Sequence, residues 1–160
     1  MSGGSFVFVG VSDFQRALVR KVGAADVAAR GVVTTGGHAI ERFAKQNFRS
    51  GDPGAQGRDS KGRFARRSPV GHDGTFPNAI TGTAKRSITV KGPTRRGGGW
   101  RSETGPTVVY GRRLELGFSG TDSLGRVYNQ PPYPFLAPAM REALPIIRAL
   151  HRDIYRKALI

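Results

Sequence analysis

An α+β fold follows from three observations: a 3.6-residue apolar period near each end of the chain, short β-branched segments between those ends, and Gly-rich breaks around the segments. The expected architecture is a long N-terminal helix, a small antiparallel sheet with long basic loops, and a kinked C-terminal helix. The 160 residues are read as one domain, 1–160, long enough to bury roughly 70% of the surface an unfolded chain exposes.

In chain order, Phe6-Val7-Phe8-Val9 has the β-branched and aromatic content of an edge strand. Ser12 and Gln15 then have capping-box spacing, which predicts a helix start. Phe14, Leu18, Val22, Ala25, Ala29, Val32, Ile40, Phe43 and Ala44 recur at helical period. Unbroken to Phe48, such a helix would run about 54 Å, against a radius of gyration of about 15 Å for a compact domain of this length. A bend or break is therefore expected at Gly36-Gly37, with the protruding half used in assembly.

Residues 49–78 are Gly-rich, lack an apolar period and contain Arg58, Lys61, Arg63, Arg66 and Arg67; they are expected to form a mobile basic loop. A helical turn at 79–86 and a strand at 87–91 follow. Residues 91–101, with Lys91, Arg95, Arg96 and Arg101 among glycines, are expected as a second basic loop, ahead of a strand at 107–110. In the last helix Pro138 suits the first turn, where its missing amide is not needed. Met140, Leu144, Ile147, Leu150 and Ile154 are the expected buried stripe; Pro145 inside it removes one ladder hydrogen bond, so a kink is expected near Glu142 to Leu144.

The chain has no cysteine, which excludes disulfides, thiolate metal sites and thiol nucleophiles. The N-terminal apolar run is too short for a signal peptide or membrane span, so a cytosolic protein with no membrane partner is expected. His38, His72 and His151 are scattered without metal-ligand spacing. His72-Asp73 between glycines is turn chemistry, Gly117-Phe118-Ser119-Gly120 falls short of a nucleophile elbow, and 57–63 lacks the Gly-Lys-Ser/Thr ending of a phosphate loop. No enzyme, cofactor or metal is expected.

The formal charge is +15, from 26 basic and 11 acidic residues, which bears on partners rather than on fold. Most of this excess lies in residues 49–101. Arginine and lysine in Gly-rich loops contact phosphates without reading bases. A solvated charged surface is the bland alternative.

Tyr110-Gly111-Arg112-Arg113-Leu114-Glu115-Leu116-Gly117-Phe118, then Pro131-Pro132-Tyr133-Pro134-Phe135-Leu136-Ala137-Pro138-Ala139-Met140, form a two-part pattern with Pro77-Asn78-Ala79-Ile80-Thr81-Gly82-Thr83-Ala84-Lys85-Arg86-Ser87-Ile88 upstream. It resembles the neck (tail-completion, head-to-tail joining) proteins of long-tailed bacteriophages and covers about half the chain. The resemblance implies a structural virion protein in a ring, expected to be sixfold, around the double-stranded DNA channel, made in the host cytoplasm. Its implied partners are copies of itself, the head-completion (stopper) and tail-terminator proteins, and DNA bound non-specifically. A tail-terminator role and a free nucleic-acid-binding module are the rival functions.

On this reading Arg58, Lys61, Arg63, Arg66, Arg67, Lys91, Arg95, Arg96 and Arg101 are candidates for contact with phosphate or an acidic partner. Glu115, Tyr133, Pro134 and Phe135 are candidates for subunit or neck-partner contact. Two alternatives stay open: Glu115 as a local ion pair with Arg112 or Arg113, and Phe135 as a core anchor.

Overall fold

The computed structural model describes residues 10–50, 76–79, 81–121 and 123–159. It is an α+β chain built on a long N-terminal helix, a small antiparallel pair of strands and a C-terminal helix. The elements are α1 (Val11–Gln46), β1 (Arg49–Ser50), β2 (Asn78–Ala79), α2 (Thr83–Arg86), β3 (Ile88–Arg96), β4 (Gly99–Pro106), α3 (Gly111–Leu116), β5 (Phe118–Thr121), β6 (Val127–Gln130) and α4 (Leu136–Leu159). The expected strand at Phe6–Val9 and the basic residues 58–67 lie outside the described residues.

Helix α1 has 36 residues and does not break at Gly36-Gly37, contrary to the expectation from propensity. Both glycines are buried, and each faces a different neighbour. A Cβ on Gly36 would stand 3.2 Å from Ile147 Cγ1 of α4. One on Gly37 would stand 2.9 Å from both Val90 Cγ1 of β3 and Ser102 Oγ of β4. The missing side chains let α4 and the β3–β4 hairpin approach the same turn from two directions, and this packing offsets the helix propensity that glycine lacks. The helix start also differs from expectation: Gly10 is the N-cap, without a side-chain cap bond, and Ser12 sits inside the first turn.

α4 runs antiparallel to α1. Asn47, at the C-cap of α1, donates from Nδ2 to Phe135 O at 3.0 Å, while Gly36 meets Ile147. The core lies where the two helices begin this overlap: Ala44, Phe48, Ile88, Phe135 and Ala139, with Ile40, Phe43, Leu114 and Leu136 packed around them. Phe48 and Phe135 meet with ring centroids 4.7 Å apart, tilted by 58°. The face of α4 turned to α1 is one of small residues, since Ala139 and Ala143 are fully buried whereas Met140 is 61% exposed. The expected stripe thus began one residue too far on, because size alone does not say which side of a helix its partner can reach. α4 continues through Pro145 as one element.

The sheet also departs from expectation. Residues 91–101 are a hairpin rather than a loop: Gly97 and Gly98 both take positive φ, the geometry of a tight two-residue turn. Arg96 pairs with Gly99, and Ile88 with Pro106, across one register shift between Lys91 and Thr94. The partner of β3 is therefore 99–106, and 107–110, expected as a strand, instead turns the chain into α3 through Gly111 N–H donating to Val108 O at 3.0 Å. The segment 117–130 contains the short antiparallel pair β5–β6. Arg49–Ser50 and Asn78–Ala79, the ends of the expected basic loop, pair in parallel.

Carrying the α1–α4 alignment forward at 1.5 Å per residue brings the end of α4 alongside roughly Ala24. The turn of the hairpin stops at the same level, next to Asp26. Residues 11–23 of α1 therefore extend about 20 Å past the rest of the described body. Their apolar side chains are open, with Phe14 67%, Leu18 53% and Val22 61% exposed. No helix among the described residues is long and apolar enough to cross a membrane.

Candidate functional site

The hairpin holds the sequence-predicted cations that lie within the described residues. Strand alternation turns Val90, Trp100, Ser102 and Thr104 toward α1 and leaves Lys91, Arg101 and Glu103 exposed. The inward hydroxyls attach the hairpin to the helix backbone: Ser102 Oγ donates to Val33 O at 3.1 Å and Thr104 Oγ1 to Gly37 O at 3.2 Å.

Asp26 anchors the far end. It accepts from Trp100 Nε1 at 3.1 Å and from the Arg95 guanidinium at 3.1 and 3.2 Å. Trp100 in turn lies under two guanidinium groups, Arg30 at 5.4 Å and Arg95 at 5.5 Å from its ring centroid. The turn is thus clamped to α1 by one carboxylate and one indole. Asp26 and Arg30 were not legible as part of this site, since they precede Trp100 by about seventy residues and only the fold brings them to it.

The clamp changes the electrostatics of the hairpin. Arg95 shares its charge with Asp26, and Arg101 pairs with Glu103 at 3.0 Å. Lys91 and Arg96 are exposed and form no ion pair among the described residues. Further along α1, Glu41 accepts from Lys45 Nζ at 2.6 Å and lies 3.0 Å from His38 Nδ1. The hydrogen bond from Lys45, then that with His38, holds its carboxyl below the usual carboxylate value.

Glu115, Tyr133, Pro134 and Phe135 meet at the start of α4. The Glu115 carboxylate accepts the backbone N–H groups of Phe135 at 2.8 Å, Leu136 at 2.9 Å and Ala137 at 2.9 Å. Pro138 has no amide to satisfy, so no donor at this helix start is left over. A carboxylate is also the charge favoured at the positive end of a helix dipole. Tyr133 N–H donates to Leu114 O at 2.7 Å. Phe135 is fully buried and Tyr133 nearly so, while Pro134 is half-buried beside them. Glu115 is thus a helix cap within its own chain, and its carboxylate forms no ion pair among the described residues.

Among the described residues no group of three or more His, Asp or Glu side chains is placed to hold a metal ion. No family model matches the chain, and neither a curated protein nor a solved structure is significantly similar to it.

Proposed function

We propose that this chain is a structural, non-enzymatic subunit of the neck of a long-tailed bacteriophage, joining the tail to the DNA-filled capsid as part of a ring around the DNA channel. The observation that carries this reading is the apolar stripe exposed on the N-terminal third of α1. Phe14, Leu18 and Val22 recur every four residues on α1 and are more than half exposed, and an apolar stripe of this kind gains stability by burial against another subunit. A chain that places such a helix outside its own core is suited to assembly.

The charge supports the same setting. Six copies of a +15 chain would carry about +90, which calls for a polyanion or acidic neighbours. The Glu115 cap and the buried Phe135 give the Pro-Tyr-Pro-Phe segment, which carries part of the resemblance, a definite role, because together they fix the start of α4 at the core. The partners on this reading are copies of the chain, the stopper and tail-terminator proteins, and DNA.

Imaging particles made without the chain tests the proposal. Filled capsids and tails of normal length that fail to join are the expected result. Overlong tails would move the chain to the terminator role, and a chain absent from mature particles, or present as a single copy, would overturn the neck reading.

A further inference from the structure

Four arginines of α4 form a row that neither the hairpin nor the core uses. Arg141, Arg148, Arg152 and Arg156 are all exposed, and at 100° per residue they fall within an arc of about 80°. Ala139 and Ala143, fully buried against the core and α1, lie on the opposite side of the helix, so the row points away from the body. None of the four makes an ion pair among the described residues. Glu142 and Asp153, the acidic residues of α4, lie to one side of the row.

We propose that this row is the surface through which the chain grips the phosphate backbone of double-stranded DNA without reading its sequence. Guanidinium groups present a fixed fork of donors that matches phosphate oxygens. The helix holds Arg148, Arg152 and Arg156 about 6 Å apart along its axis, and the whole row spans about 22 Å. A duplex carries one charge per roughly 1.7 Å, so phosphates are dense enough along that length to meet every arginine.

The composition of the row favours DNA over a protein neighbour. Arginine is enriched in protein interfaces too, but there it surrounds an apolar centre, whereas between Arg141 and Arg156 Pro145 is the one uncharged residue along this line. The hairpin is less suited to the role, since Arg95 and Arg101 already answer Asp26 and Glu103. The inference deepens the neck reading by naming the face turned to the DNA; it rests on that reading for its setting, not for the contact itself.

The test is a salt titration of the full chain on a duplex of about 30 bp and arbitrary sequence, followed by fluorescence anisotropy. The variant R141Q/R148Q/R152Q/R156Q keeps helix propensity, because Gln is a good helix former, and circular dichroism checks its fold. Each lost phosphate contact flattens the plot of log K against log salt by about 0.9, so the slope should fall by about 3 to 4. Equivalently, roughly 100-fold of the wild-type loss of affinity between about 50 and 200 mM salt should disappear. Should the quadruple variant fold poorly, R148Q/R152Q is expected to lower the slope by about 2.

A variant with the wild-type slope and affinity would overturn the proposal, as would a wild-type chain that ignores the duplex at low salt. Unchanged duplex binding with loss of the variant from particles would assign the row to an acidic protein and overturn it equally. Failure of the neck reading has a separate signature: the wild-type chain is missing from particles while the duplex titration still gives the expected slopes.

Discussion

Two adjacent glycines at the middle of α1 have environments that forbid different things. Gly37 sits where an added methyl group would meet Val90 and Ser102, both at 2.9 Å, and Ser102 is itself held by its bond to Val33 O. Gly23, on the same helix, has nothing within 4 Å of such a group. Gly37→Ala should therefore destabilise the fold by about 1–3 kcal/mol through overpacking. Gly23→Ala should stabilise it by roughly 0.5–1 kcal/mol through helix propensity. Thermal unfolding of the two variants checks both signs, and a stabilised Gly37→Ala would mean the hairpin does not press on α1 as described. In the sequence the pair reads as a helix break, because propensity is local while the value of a missing side chain depends on what approaches it.

At the scale of elements, the start of α4 is set by a residue twenty positions earlier. Glu115 takes the N–H groups of Phe135, Leu136 and Ala137, so α3 and α4 are coupled by one carboxylate. Glu115→Ala leaves three backbone amides, two of them partly buried, without an acceptor and should cost about 1–3 kcal/mol. Amide hydrogen exchange should show this as faster exchange confined to residues 135–137 and the first turn of α4. Uniform exchange across the chain, or no change, would contradict the capping role. The sequence marks this helix start through Pro138, yet it does not show that Glu115 reaches it, since 115 and 135 are joined by the β5–β6 excursion. The hairpin was the reverse case: Gly97-Gly98 between two extended segments is a two-residue turn signal, and the surrounding arginines made it look like a loop.

For the whole molecule, the relevant quantity is how little of α1 the rest of the described chain covers. The core gathers at the C-terminal end of α1 around Phe48, Ile88 and Phe135, and Phe14 and Leu18 lie far from it, more than half exposed. Replacing both with Glu should leave the unfolding temperature within about 4 °C of wild type, because exposed substitutions cost at most about 0.5 kcal/mol each. The same variant should fail to self-associate in sedimentation velocity. A large drop in unfolding temperature would instead show that these side chains are part of the fold.

Composition and periodicity were enough to determine the α+β class, the places of the two terminal helices, the absence of cysteine chemistry and the concentration of positive charge, since each of these is a property of residue type and local spacing. Which faces of those helices are buried, which arginines are already paired and what Glu115 holds were decided by tertiary structure. The reason is that burial and pairing are relations between residues far apart in the chain: Asp26 with Trp100, Gly36 with Ile147, Glu115 with Phe135. Local pattern sets what each segment can offer, and only the folded arrangement selects which of those offers meets a partner.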